Sequence, residues 1–343
     1  MTMLSERKRA ILKAIISSYV EHGEPIGSKA LCDMLGTTLS SATLRNEMSD
    51  LCSLGYLEQP HTSAGRVPTV LGYKLYIDDL MGREALSGDT KLVIDSLLEG
   101  LSGDVDEIIR RGGQILSELT GLPVLISTRS DESNAVKRIE LVPMGRHSLL
   151  AVLITSNGIM RSRMVRSDGA LTPALLDSFY KLCTEYIIGK PLYTLGRAYS
   201  QQLVASFGDI SLLSLVAALF DMIEDAKRSE VSLRGESNLF RFYGQGAQTH
   251  RLIELLAQKD LMLSLFDTVE APVGVLFGND TDIQELKSAT LILAKYSSGD
   301  RVIGQIGVLG PTRMSYERVI PSIEYFAKGL SRVISETLTD LED

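Results

Sequence analysis

The 343-residue chain contains no tryptophan, and aromatic residues make up only 6% of it. Its three cysteines, Cys32, Cys52 and Cys183, are odd in number, far apart and form no CxxC pair, which excludes a disulfide framework and a cysteine-built zinc site. A reduced, cytoplasmic protein is expected from that usage. The four histidines, His22, His61, His147 and His250, are equally scattered, so no metal site is expected, and no cofactor. Apolar runs are short. The longest, such as Leu215 to Phe220, fall far below the roughly 18 residues that span a bilayer, and Met1–Glu6 lacks the basic-then-apolar order of a signal peptide. The chain also lacks a nucleophile elbow, a P-loop, paired metal ligands and a paired-carboxylate motif, so an enzyme is disfavoured. Gly244-Gln245-Gly246 is a lone G-x-G with no strand before it, too little for a nucleotide site.

What remains is a globular composition, 44% apolar and 23% charged, on a chain long enough for two or three cores. The net charge is −8, but it is unevenly spread. Residues 1–75 carry eight Lys/Arg against seven Asp/Glu, so the acidity resides in the rest of the chain. A head that is basic relative to its body is the part expected to face an anionic partner such as DNA.

Within that head the spacing predicts three helices. Ser5 can cap the first, whose apolar positions Ile11, Leu12, Ile15, Ile16, Tyr19 and Val20 precede a terminating Gly23. Arg7, Lys8 and Arg9 occupy its first turn, where cations oppose the helix dipole, which points to phosphate contacts by Lys8 and Arg9 or to a merely solvated end. Ser28 can cap a second short helix through Leu35. The third, from Ser40 or Ser41 to Gly55, has two faces: Leu44, Met48 and Leu51 form one stripe, with Ala42, Asn46 and Ser49 opposite and Thr43 and Arg45 beside them. Arg45 suits guanine and Asn46 suits adenine by two-point contacts in a major groove. Taken alone, the segment is equally compatible with an ordinary polar surface helix. Two short extended pieces around Pro60–Arg66 then make a β-wing, with Arg66 at its tip reaching a backbone or minor groove.

Three ordered segments resemble the HrcA family of heat-inducible transcription repressors. They are Glu24-Pro25-Ile26-Gly27-Ser28-Lys29, Ser40 to Asn46, and Gly55-Tyr56-Leu57-Glu58-Gln59-Pro60-His61-Thr62-Ser63-Ala64-Gly65-Arg66-Val67-Pro68-Thr69, with a further match at Gly310-Pro311-Thr312-Arg313-Met314. The resemblance implies a winged helix-turn-helix over residues 1–80 and a GAF-like domain interrupted by an inserted dimerising domain. It implies a homodimer on an inverted-repeat (CIRCE-type) operator of double-stranded DNA upstream of chaperone operons, modulated by a GroEL-type chaperonin. It also adds Ser28, Lys29, Ser41, His61, Thr62 and Ser63 to the DNA-facing positions.

The body reads as α+β. A Gly-containing linker at 82–88 precedes a long helical stretch from Asp89 to about Leu119, then strands at 124–128, 136–142, 149–155 and 159–165, the last two joined by an Asn-Gly hairpin turn. Thr172-Pro173 starts another helix. Strands resume at 273–277, 291–296 and 302–309, before a final amphipathic helix from Tyr316. The expected division is 88–190 with 271–343 for the split GAF-like domain and 191–270 for the insertion. In 212–223 the large apolar residues sweep an arc of about 180°, wider than the ~100° one core needs. Leu212, Leu213, Val216 and Phe220 are therefore expected at a dimer interface, or absorbed by a thick core, and Arg313 at a contact between GAF-like domains. Arg161, Arg163 and Arg166 read as a solvated or interdomain face. The competing reading of the chain is a metabolite-responsive regulator with an effector in the GAF-like domain, which thermal-shift screening of small molecules would separate from the first.

Overall fold

The structure is a computed structural model, and it describes residues 4–36, 39–61, 64–82, 86–129, 132–167, 169–207 and 212–340. The head is built from α1 (Glu6–His22), α2 (Ser28–Leu35) and α3 (Ser41–Ser53), followed by the wing strands β1 (Leu57–Glu58) and β2 (Val67–Pro68). Its local signals act where the sequence places them. The Ser5 hydroxyl accepts from Lys8 N, and α1 ends at Gly23 in the left-handed region at φ 73°. Ser40 accepts from Thr43 N, and Gly55 at φ 81° turns the chain out of α3.

From the head the chain runs through α4 (Val70–Leu75) and one π-helical turn, Tyr76–Leu80. The helical stretch expected from Asp89 to Leu119 is two helices, α5 (Gly88–Glu99) and α6 (Val105–Thr120). The break has a local cause: Gly103 sits at φ 128°, and the Asp104 carboxylate starts a new helix by accepting from Glu107 N at 2.8 Å.

Two antiparallel sheets follow. The larger has the order β7-β3-β10-β9-β8, from β3 (Val124–Thr128), β7 (Glu230–Arg234), β8 (Val273–Phe277), β9 (Ala289–Ser298) and β10 (Arg301–Pro311). One face packs on α5, α6 and the long C-terminal α13 (Tyr316–Asp340). The other is roofed by α10 (Ser237–Tyr243), α11 (Ala247–Leu256) and α12 (Lys259–Asp267) around Leu125, Leu291, Leu293 and Leu309. The smaller sheet, β4 (Val136–Pro143), β5 (Ser148–Thr155) and β6 (Met160–Arg166), pairs only within itself. It forms a separate core with α7 (Pro173–Tyr186), α8 (Arg197–Phe207) and α9 (Leu213–Ala226).

The interruption therefore differs from the expected 191–270. Because β7 pairs with β3 from Val124↔Arg234 to Thr128↔Glu230, residues from 230 onward belong to the larger sheet. The self-contained unit lies between β3 and β7 and takes in β4–β6, which the sequence pattern assigns to the GAF-like domain. A hydrophobic pattern reports that strands exist, and it leaves open which sheet they join.

The same unit corrects the dimer helix. Leu212, Val216 and Phe220 are buried within the protomer, because α9 packs between β5, β6 and α8 through a broad face, leaving the stripe of Leu213, Ala217 and Asp221 exposed. Leu213 alone of the four is exposed. Arg163 is held by Asp221 at 2.7 Å and Asp225 at 3.0 Å on α9. Arg161 reaches Asp106 of α6 at 2.5 Å, an interdomain contact, and Arg166 is exposed.

Head and body share one hydrophobic cluster. It runs from Ile11, Leu44 and Leu51 through Tyr73 and Tyr76 to Phe277, Tyr316 and Leu330. At the junction the rings of Tyr73, Phe277 and Tyr316 lie with centroids 5.7–6.5 Å apart. Among the described residues no helix is long and apolar enough to cross a membrane.

Candidate nucleic-acid interface

The interface is organised by the two faces of α3. Leu44, Met48 and Leu51 are buried against Ile11, Leu12, Ile15, Ile16 and Leu31, which fixes the helix's rotation about its axis. That rotation turns Ala42, Arg45, Asn46 and Ser49 outward, all exposed. Among the described residues the side chains of Arg45 and Asn46 make no hydrogen bond or ion pair. Each therefore keeps its full complement of donors and acceptors for an external partner.

The other expected α3 positions are occupied at home. Thr43 is half-buried and its hydroxyl lies 3.0 Å from Ser40 Oγ. Ser41 Oγ lies 2.9 Å from Ser28 Oγ, a stitch between α2 and α3. Ser28 is thus the first residue of α2 and not its cap, since Gly27 precedes the helix with no side-chain cap. Lys29 is exposed beside it and has no carboxylate partner among the described residues.

The α1 cations are paired with carboxylates of the same chain. Lys8 Nζ is 2.9 Å from Asp50 Oδ2 and 3.7 Å from Glu47, Arg7 reaches Glu47 at 3.4 Å, and Arg9 is hydrogen-bonded to Asp79. The hydrogen bond from Lys8 to Asp50 raises the ammonium above its ordinary range, and that from Arg9 to Asp79 lowers the Asp79 carboxyl. Phosphate contacts by Lys8 and Arg9 are corrected accordingly: the first turn of α1 docks on α3 and on the π-helical turn, and those carboxylates take the charge. The counter-ions Glu47 and Asp50 were legible in principle, since they stand three apart on the flank of α3 that faces α1.

The wing also differs from expectation. Leu57 pairs with Pro68 and Glu58 with Val67, while the backbone of Arg66 exchanges hydrogen bonds with Ile26 at 2.8 and 3.1 Å. Arg66 therefore stands at the root of the wing, half-buried, and not at its tip. Gly65 permits this closeness, because a Cβ there would come within 2.3 Å of the Ile26 carbonyl oxygen. His61 is exposed and its carbonyl accepts from Ala64 N at 2.9 Å. Thr62 and Ser63 lie outside the described residues.

Arg313 is a junction residue. Its guanidinium rests against Gly23, so close that a Cβ on that glycine would lie 2.7 Å from Nη1. This is the C-terminal end of α1, where a cation complements the helix dipole. Within the protomer Arg313 thus lies between body and head, and it remains exposed. Beside the larger sheet, the apolar space lined by Leu125, Leu256, Met262, Leu265 and Leu291 measures about 10 Å³, room for one water at most and no effector.

These features match known proteins along the whole chain. Residues 3–79 fit a family profile described as the winged helix-turn-helix transcription repressor, HrcA DNA-binding, and residues 106–320 fit the HrcA protein C terminal domain. The chain is 32% identical over 338 residues to the heat-inducible transcription repressor HrcA of Clostridium perfringens, covering 97% of this chain and 99% of that one. It is also 32% identical over 341 residues to that of Desulforamulus reducens, covering 98% of each. A crystal structure described as that of a hypothetical protein shares the fold, with a TM-score of 0.69 at 22% identity over 98% of this chain and 100% of its own. A buried stripe that presents an unengaged Arg-Asn face, on a winged helix continuous with this body, is thus the head of a non-enzymatic DNA-binding regulator, and the chain belongs to the HrcA family of heat-inducible transcription repressors.

Proposed function

We propose that the chain represses chaperone operons as a homodimer on an inverted-repeat, CIRCE-type operator, with release governed by a GroEL-type chaperonin. The carrying observation is the outer face of α3, where Ala42, Arg45, Asn46 and Ser49 stand exposed on a helix whose rotation is fixed from behind. Arg45 and Asn46 read base edges in the major groove, and Lys29 and the wing around His61 hold the backbone. A single such helix reads few base pairs, and two related by a twofold axis read an inverted repeat.

The dimer surface proposed is the outer face of the smaller sheet. Cross-strand rows place Val142, Leu150 and Met164 side by side, then Glu140, Val152 and Ser162, then Arg138, Ile154 and Met160. Six of these nine are apolar, and Val142 and Met164 are 47% and 58% exposed. An apolar, self-complementary face of this kind suits an isologous contact with a second copy. The larger sheet, antiparallel and covered by helices on both faces, supports the GAF-like reading of the body.

Footprinting of the full-length chain on DNA upstream of the organism's chaperone genes, with and without chaperonin, tests the proposal. Symmetric protection of two half-sites, lost when one half is scrambled and strengthened by chaperonin, is the expected result. Protection of an isolated half-site, indifferent to the other half and to chaperonin, would overturn it.

A further inference from the structure

The body meets the head along a ridge of the shared hydrophobic cluster. Two clefts of about 470 Å³ each flank it, one beside Val20, Phe242 and Met314, the other beside Ser17, Glu21 and Arg318. Between them the Tyr73–Phe277–Tyr316 rings supply adhesion, but apolar contact has no preferred direction and does not set an angle. Directional contacts come from Lys74 Nζ, 2.7 Å from Asp280 Oδ1 in the turn after β8, and from one short segment after β10. Tyr76 Oη donates to Glu317 Oε1 at 2.5 Å, while the exposed Arg313 adds a packing contact, its guanidinium lying against the left-handed Gly23 that ends α1. The segment itself is braced: Tyr316 Oη donates to Thr312 O at 2.7 Å, and Thr312 N donates to Ser288 O at 3.1 Å. One rigid platform thus grips the head at two points, the end of α1 and the π-helical turn.

We infer that Arg313 and Glu317 are positioning residues that set the angle of the reading head on the body, and through it the half-site spacing the dimer accepts. In a twofold dimer both heads are held by the same platform, so a small rotation at each ridge is doubled in the separation of the two α3 helices. The inference rests on the dimeric-operator reading given above. Linked binding of two half-sites is lost when geometry forbids simultaneous engagement, although each half-site is still bound singly.

The test uses the full chain and operators whose half-site spacing is lengthened or shortened one base pair at a time. The Arg313→Met, Glu317→Leu double variant is expected to lose about tenfold or more of the wild-type preference for the native spacing, with affinity for a lone half-site unchanged. Glu317→Gln, which keeps an acceptor for Tyr76, and Arg313→Lys, which keeps the charge, should restore most of it. Should the double variant fail to fold, Tyr76→Phe removes a single oxygen from the same contact and carries the test. A folded variant that keeps the wild-type spacing profile overturns the inference.

A second readout separates this from failure of the operator reading. Spin labels at the exposed Asp33 on α2 and Glu336 on α13, with the native cysteines replaced, report the head-to-body distance without DNA. A narrow distribution in the parent and a broad one in the double variant supports the platform even if the wild type shows no spacing preference. An unchanged narrow distribution overturns it whatever the DNA result.

Discussion

The two sheets of the body are written in much the same residues and are covered differently. In the larger, β9 opens Ala289-Thr290-Leu291-Ile292-Leu293-Ala294, all buried, with helices on both faces. In the smaller, β5 reads Leu149-Leu150-Ala151-Val152-Leu153-Ile154, equally apolar, but alternates buried and half-buried because helices cover one face only. A strand apolar on both sides has the composition of one buried on both sides. Here the protomer supplies a single cover, and the bare face of β4–β6 is where the proposed dimer would supply the other. The head repeats the contrast on a smaller scale: Lys8 and Arg9 are covered by carboxylates, and Arg45 and Asn46 are bare.

The contrast can be broken most severely in the doubly covered sheet. Ile292→Ala should cost about 2–5 kcal/mol, as expected for truncating a buried aliphatic side chain in a close-packed core, and chemical denaturation will show it as a lower midpoint at unchanged slope. The equivalent intrusion on the bare face should leave the fold intact. Val152→Glu is expected to retain the wild-type melting curve, sediment as a monomer, and bind the operator on the order of 100-fold more weakly because the two half-sites are no longer linked. A Val152→Glu chain that is folded and still dimeric would move the interface off this sheet.

In the head, Arg45→Ala and Asn46→Ala should each weaken operator binding by about 1–3 kcal/mol and relax the base preference at one position per half-site. Titration against single-base operator variants measures both effects, and unchanged discrimination would remove α3 from the reading role. The smallest effect distinguishes covered from bare cations. Lys29→Ala should flatten the dependence of log affinity on log salt by about one unit for each phosphate left without its cation, while Lys8→Ala should leave the slope as it was. Equal slopes for the two variants would return Lys8 to the interface.

Local features of the fold were readable because their causes are local. The caps at Ser5, Ser40 and Thr172, the stops at Gly23 and Gly55, the hairpin glycine Gly158 and the buried stripe of α3 each depend on a few neighbouring residues. The exposed face of α3 followed from that stripe, since burying Leu44, Met48 and Leu51 leaves one side for Arg45 and Asn46. What the sequence left hidden depends on partners distant along the chain. Membership of β4–β6 is decided by the pairing of β3 with β7, about a hundred residues on. The pairing of Lys8 with Asp50 spans 42 positions, and Arg66 is drawn to the wing root by Ile26, 40 positions away. The wide apolar arc of α9 does need more than one surface, but those surfaces are β5, β6 and α8 of the same chain.

The unbroken core from Ile11 to Leu330 bears on how such a protein answers heat. A head on a free tether would melt at its own temperature, and its small enthalpy would spread release over a broad span. Joined to the body, it melts within a larger cooperative unit, whose enthalpy grows by about 0.7 kcal/mol per residue and sharpens the transition accordingly. Loss of grip on DNA and loss of the body's fold then become one event on the temperature axis, and a calorimetric trace should carry head and body in the same endotherm.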